Sequence, residues 1–304
     1  MAIVSVENLK MSYDKGRVKA LKGVTFDVEE GEIFGLIGPD GAGKTSLFRI
    51  LTTLLLADSG KAVVDGMDVV NDYKKIRQHI GYMPGRFSLY QDLTVEENLS
   101  FFATVFNTTI EENYHLVEDI YRQIEPFKKR KAGKLSGGMK QKLALSCALI
   151  HAPHVLFLDE PTTGVDPVSR KEFWEMLQKL KKNFKLSIVV STPYMDEALQ
   201  CDRIALIQDG QFLTIDTPEN IIRTYTQTLW SLRSDKMHKL LTDLRGIDGV
   251  KTAFAFGENH HATIDTSVLT VDSLRNRLVS LVHRNIVIEV VEPTIEDCFM
   301  NLQK

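Results

Sequence analysis

Nine residues, Gly38-Pro39-Asp40-Gly41-Ala42-Gly43-Lys44-Thr45-Ser46, constrain this chain more than any other stretch. They have the form Gly-x4-Gly-Lys-[Ser/Thr]. The flanks supply the setting that this form needs. Before it, Ile33-Phe34-Gly35-Leu36-Ile37 is a short apolar run, predicted as a buried strand. After it, Leu47, Ile50, Leu51, Leu54 and Leu55 fall at i, i+3, i+4, i+7 and i+8, which is one face of a helix. The loop therefore joins a strand end to a helix start. Its glycines let backbone N–H groups turn inward without a Cβ clash. Those N–H groups and the helix dipole cradle phosphate oxygens. Lys44 is expected to reach the β- and γ-phosphates of a nucleotide, and Thr45 to place a hydroxyl on Mg²⁺. A glycine-rich turn with no ligand would require neither flank.

A second apolar run, Val155-Leu156-Phe157-Leu158, ends in Asp159-Glu160. Two carboxylates at a strand end say little alone. Beside a phosphate loop they suit hydrolysis: Asp159 would hold Mg²⁺ through water, and Glu160 would polarise the attacking water. Upstream, Ile3 to Leu9 and Val18 to Val28 read as a hairpin, with Tyr13 in the connection. Tyr13 is either an ordinary surface aromatic or a platform for a purine face.

Between these runs the pattern becomes helical. A strand (Lys61 to Asp65), a helix (Asp72 to Gln78) and Ile80-Gly81-Tyr82-Met83-Pro84-Gly85 come first. Thr94 to Phe127 follows as helices, starting with Thr94-Val95-Glu96-Glu97, a capping box. It reads as an inserted helical layer, about 86–150. Leu135-Ser136-Gly137-Gly138-Met139-Lys140-Gln141 then opens another helix, a second N-terminus suited to phosphate. Beyond Glu160, Gly164-Val165-Asp166-Pro167 leads into a helix from Val168 to Leu180, and Leu186 to Ser191 into Thr192-Pro193-Tyr194. Two short strands close this part of the chain.

Composition excludes several classes. A formal net charge of −3 offers no global basic field, so nucleic acid is not expected as a partner. No uninterrupted apolar run approaches the ~20 residues of a membrane span. Met1 to Glu7 lacks the regions of a signal peptide. The odd set Cys147, Cys201 and Cys298, without C-x-x-C spacing, reads as reduced thiols. His151 and His154 resemble a metal pair, but no further ligands are expected nearby, so they read as ordinary loop histidines. Lys128-Lys129-Arg130-Lys131 reads as a solvated helix end.

Together these motifs resemble the nucleotide-binding subunit of an ATP-binding cassette (ABC) transporter, over residues 1–224. The resemblance rests on Tyr13, the Walker A motif Gly38 to Thr45, the signature Leu135 to Gln141, Walker B with Glu160, and the D-loop Asp166. The signature is the diagnostic part. The surrounding wording is similar to ATPase subunits of daunorubicin-resistance and multidrug exporters. The resemblance implies an α/β fold: a P-loop NTPase cassette with a RecA-like core, a mixed sheet and an inserted helical subdomain. It implies ATP and Mg²⁺ as ligands, with Tyr13 stacking on adenine. It also implies that Leu135, Ser136, Gly137, Gly138 and Gln141 act in trans on a second cassette. Its partners would be that cassette and integral membrane permease chains, at the cytoplasmic face of the membrane.

Two positions depart from the family. Where a Q-loop glutamine belongs stands Gly85, and Gln91 lies too far along to replace it. Where an H-loop histidine belongs stands Pro193, which has neither a side-chain donor nor an N–H. Losing one preorganised donor typically costs ~10²–10³ in rate. The alternative to an ordinary exporter ATPase is therefore a catalytically weak half of an asymmetric pair that lends its signature to the partner. A soluble ABC protein acting on ribosomes or DNA is the third reading. The ribosomal type carries two cassettes and the DNA type a long coiled coil, and this chain shows one P-loop and neither feature.

From 225 to 304 the pattern is strand, helix, strand, strand, helix, strand, resembling a ferredoxin-like α+β module. A closing helix starts at Thr294, with Asp297 completing a capping box. Pro293 to Phe299 resembles the tail of many such exporter ATPases.

Overall fold

An antiparallel hairpin, β1 (Ala2–Tyr13) and β2 (Val18–Glu29), opens the computed structural model, which describes residues 2–303. Strand β3 (Ile33–Ile37) then runs into the phosphate loop and helix α1 (Lys44–Leu51). β4 (Ser59–Val64), β5 (Met67–Asp68), α2 (Tyr73–His79) and β6 (Ile80–Met83) follow. The inserted helices are α3 (Val95–Val105), α4 (Ile110–Tyr121) and α5 (Gly137–Leu149). The chain returns through β7 (Val155–Asp159), α6 (Pro167–Phe184), β8 (Ser187–Thr192), β9 (Arg203–Gln208) and β10 (Gln211–Asp216).

Two sheets organise this unit, Met1–Pro218. One has the order β2-β1-β4-β5 and is antiparallel; the other runs β10-β9-β3-β8-β7-β6 and is parallel except for its edge strand β10. Each of β3, β7 and β8 is buried along its whole length, which is why they read as continuous apolar runs rather than alternating ones. Crossovers bring β3, β7 and β8 side by side. Their C-terminal ends then gather the phosphate loop, Asp159 and Thr192 on one edge, the usual place for a ligand in an open parallel sheet. Phe48 of α1 packs edge-on against Phe157 of β7, ring centres 5.8 Å apart, and so fixes the loop's helix against the acidic strand.

The helical insertion is held by local chemistry as well as packing. Thr94 and Glu97 form both halves of the expected capping box, and Thr109 and Glu112 repeat it on α4. Boundaries shift slightly from the sequence reading. The helix expected over Asp72 to Gln78 spans Tyr73–His79, and the strand expected over Lys61 to Asp65 spans Ser59–Val64. Among the described residues no helix is long and apolar enough to cross a membrane.

The second unit, Glu219–Lys304, starts six residues earlier than the boundary read from the sequence, within α7 (Pro218–Arg223). It continues through β11 (Thr228–Arg233), α8 (Met237–Arg245), β12 (Val250–Phe256), β13 (Asn259–Ile264), α9 (Val271–Ser280), β14 (Val287–Val290) and α10 (Ile295–Leu302). Its sheet has the order β12-β13-β11-β14 with every pair antiparallel, the ferredoxin-like arrangement. Trp230, Leu240, Leu244, Leu274 and Leu278 form a separate core beneath it.

Candidate nucleotide site

The N-terminus of α1 has no side-chain cap, so its first N–H groups remain for an anion. The loop before it has no spare room. A Cβ on Gly38 would stand 2.2 Å from the Ile207 carbonyl oxygen, and one on Gly43 2.3 Å from that of Ala20. Gly43 also has φ +105°, which L side chains rarely adopt. These two glycines hold the backbone of the loop close against β9 and β2.

Lys44 is 3% exposed and folded into the loop. Its Nζ donates to the carbonyls of Gly38 (2.7 Å) and Pro39 (2.9 Å) and stands 3.2 Å from Glu160 Oε1. The ammonium thus links the loop to the end of β7. The Tyr13 hydroxyl shares a 3.0 Å hydrogen bond with Ser46 Oγ, which holds the ring beside the start of α1. A cleft of about 440 Å³ lies here, bordered by Tyr13, Val18, Gly41, Lys44, Thr45 and Glu160. Pro39 and Asp40 are exposed, and Ala42 is buried.

Asp159 is 2% exposed. Its Oδ1 accepts from Ser191 Oγ at 2.7 Å. Ser191 serves the next residue too: Glu160 N donates to its carbonyl (3.0 Å) and its Oγ (3.1 Å). Glu160 has φ +50°, an uncommon conformation for a side chain of this size, and these two bonds hold it there. Burial, and then the charge of Asp159, push the Tyr82 phenol up to about 12.

The two departures from the family both border this centre. Gly85 is exposed, and a Cβ there would stand 3.1 Å from the Asp159 carbonyl oxygen and 3.8 Å from its Oδ2. Pro193 follows Thr192, whose carbonyl accepts from Gly38 N at 3.2 Å. Gly85 thus stands against the acidic strand, and Pro193 follows the β8 residue that is bonded to the phosphate loop.

The signature lies on an exposed helix start. Ser136 and Gly137 are exposed, and Ser136 Oγ caps α5 by accepting from Met139 N at 3.3 Å. Leu135 is buried beneath it. A Cβ on Gly138 would meet Ser169 Oγ at 2.8 Å, so this glycine lets α5 approach α6. Gln141, one turn on, lines an apolar groove with Phe102, Phe106, Gly85 and Glu160. Asp166 caps α6, accepting from Val168 N and Ser169 N, and the Ser169 N–H chiefly holds its carboxyl below the ordinary value.

Sequence reasoning missed the group that shapes the Pro193 loop. Glu197, 4% exposed, accepts from Thr192 Oγ1 (2.5 Å), Thr162 Oγ1 (3.0 Å) and Arg170 Nε (3.0 Å). Arg170 also lies 4.1 Å over the Tyr194 ring. Nothing local marks Glu197, because its partners come from three separate elements. Arg170→Met should leave that carboxylate buried without its cation. The expected loss is about 3 kcal/mol, the low end for breaking a buried pair, since Arg170 keeps 20% of its side chain exposed. The midpoint of urea unfolding measures it, and an unchanged midpoint would show that the pair does not hold the loop.

The two histidines three apart separate in the fold. His151 Nε2 bonds the Ile80 carbonyl (2.9 Å) while its ring stacks on Phe106. His154 turns the other way and meets His79 and Asp65, so the expectation that no further ligand stands near it is wrong. The ligands are distant only in sequence.

Comparison with known proteins agrees with this geometry. The family model for the ABC transporter matches residues 21–163. Over 221 residues the chain is 42% identical to the probable multidrug ABC transporter ATP-binding protein YbhF of Escherichia coli, covering 71% of this chain and 38% of that one. The chain thus spans well under half of that relative's length. It is 31% identical to the linearmycin resistance ATP-binding protein LnrL of Bacillus subtilis, over 99% of this chain and 98% of LnrL. The dimeric cassette MJ0796, solved in a post-hydrolysis state bound to ADP and Pi, superposes with a TM-score of 0.64 at 26% identity, covering 70% of this chain and 98% of that one. A cassette fold shared with a solved relative, joined to similarity running almost end to end along a protein of matching length, fixes the family: the chain belongs to the ABC transporters, as one of their ATP-binding proteins.

Proposed function

We propose that this chain is the ATP-binding subunit of an exporter, working at the cytoplasmic face of a membrane with a second cassette and separate permease chains. The observation that carries this reading is the contact of Lys44 with both the phosphate loop and Glu160 at the end of β7. ATP would lie in the cleft beside Tyr13, with its phosphates on Gly41 to Ser46. The residues present fit Mg²⁺. Asp159 Oδ1 is engaged by Ser191 while Oδ2 faces position 85, and Thr45 adds a hydroxyl, so the donors are hard oxygens. Bound Mg²⁺ would neutralise charge on the β- and γ-phosphates. Glu160 would orient and polarise the attacking water. The exposed Ser136 and Gly137 would face the phosphates of the second cassette, whose own signature would close on Lys44. The names of YbhF and LnrL support a drug or antibiotic as cargo, and the apolar groove beside Gly85 supports a permease segment docking next to Glu160.

A second reading is favoured by Gly85 and Pro193: the chain binds ATP but hydrolyses it slowly at its own site, as the weak half of a heterodimer. The test is turnover by the purified chain. Gly85→Gln with Pro193→His should raise it by ~10²–10³ with little change in affinity, because both groups act mainly in the transition state. Pro193→His alone is the cleaner arm, since a side chain at 85 must move the Asp159 backbone contact by a few tenths of an ångström. Fast hydrolysis by the unaltered chain would sink the slow-site reading. Failure to bind ATP at all would sink both readings.

A further inference from the structure

Three chemistry-bearing side chains converge at the end of the parallel sheet opposite the phosphate loop. Asp65 Oδ2 accepts from His79 Nδ1 at 2.6 Å and from His154 Nδ1 at 2.8 Å. The two imidazole rings meet edge to face, centres 4.8 Å apart. Among the described residues this is the one group of three or more His, Cys, Asp or Glu whose ligand atoms all lie within 4.8 Å of one another.

The frame behind the cluster is rigid. His79 and His154 directly precede β6 and β7, which pair in parallel with Ile80 opposite Val155. His154 N donates to the His79 carbonyl at 2.8 Å, so the sheet itself sets the two histidines side by side. Asp65 tips the hairpin between β4 and β5, where Asp65 (φ +51°) and Gly66 (φ +71°) both take the left-handed conformation of a tight hairpin turn. Asp65 N donates to the Ile3 carbonyl at 2.7 Å, which ties that turn to β1.

We propose that Asp65, His79 and His154 form a binding site for a divalent transition-metal ion of the zinc class. Two imidazole nitrogens and one carboxylate oxygen are the donor set such an ion takes, with water in the fourth position. Ligands ~2.0–2.2 Å from a tetrahedral ion stand ~3.3–3.6 Å apart. The present separations of 2.6 and 2.8 Å must therefore open by several tenths of an ångström. The partly exposed rings of His79 (39%) and His154 (57%) have the freedom to do so. On binding, each neutral imidazole passes its Nδ1 proton through solvent to Nε2 and offers the Nδ1 lone pair to the ion. Asp65 and His154 also line a cleft of about 540 Å³, which admits the ion and its water.

This site is separate from the one that would hold Mg²⁺. His154 precedes β7 and Asp159 ends it, so the length of a five-residue strand lies between them, ~17 Å. The inference is thus independent of the nucleotide reading.

The experiment uses the full chain stripped with a chelator and then dialysed, with Zn²⁺ alone as the titrant in calorimetry and Co²⁺ as an absorption probe. One ion per chain should bind, and Co²⁺ should give the intense visible bands of a tetrahedral site. His79→Gln, His154→Gln and Asp65→Asn should each weaken that binding by more than the ~10–100-fold that outer-shell changes cost. Asn at 65 keeps the left-handed turn, and unfolding of each apo variant by circular dichroism shows whether it is folded. His238→Ala, at an exposed histidine of α8 outside the cluster, should leave the affinity unchanged. The proposal is overturned if the unaltered chain does not bind Zn²⁺, if folded cluster variants bind as well as the parent, or if His238→Ala lowers affinity equally, which would mark an adventitious ion only.

Discussion

Lys44→Ala should lower the affinity of the purified chain for ATP by ~10²–10³-fold. The ammonium is folded inside the phosphate loop, between the carbonyls of Gly38 and Pro39 and the carboxylate of Glu160. Without it, the β- and γ-phosphates would meet Glu160 and Asp159 with no countercharge from the loop. Removing one partner from a buried charge pair costs about 3–5 kcal/mol, and each 1.4 kcal/mol is about tenfold in affinity. Equilibrium titration with a fluorescent ATP analogue reads the change. Thermal unfolding of the same variant separates lost contact from lost fold, because the two carbonyls also lose their donor. An affinity equal to that of the parent would place the nucleotide somewhere other than this loop.

The second large effect is expected in a reconstituted pair of cassettes. Ser136→Arg in this chain should cut total ATPase activity by ~10²–10³-fold, whereas Glu160→Gln here should cost less than about twofold. The asymmetry follows from what each residue would serve. Ser136 caps an exposed helix start that would approach the partner's γ-phosphate. Arginine removes the cap, worth about 1 kcal/mol, and places bulk where close approach is needed. Glu160 would serve this chain's own site, which Gly85 and Pro193 leave short of two groups. Site-by-site turnover in the pair decides between them. If Glu160→Gln is the more damaging change, the hydrolytic site is the one on this chain.

What the sequence determined by itself is whatever depends on near neighbours. A glycine-rich loop between an apolar run and a helical face is a local pattern, and β3, the loop and α1 follow it as far as Leu51. Leu54 and Leu55, expected on the same face, lie beyond the helix end, where Thr53 takes φ +63° and Leu54 is exposed. The capping boxes at Thr94–Glu97 and Thr294–Asp297 form as read, because each needs only residues three apart. The strand-helix alternation after Tyr225 likewise yields its sheet, because periodicity marks the buried face of each element. Tertiary structure alone decided the contacts that cross the sheet. Ser191 meets Asp159 because β8 lies beside β7, 32 residues away along the chain. Glu197 gathers Thr162 and Arg170 from 35 and 27 residues away. Asp65 joins His79 and His154 across 14 and 89 residues. No local pattern encodes these meetings: strand order and register set them, and those are fixed only when the apolar faces of all the elements are buried together.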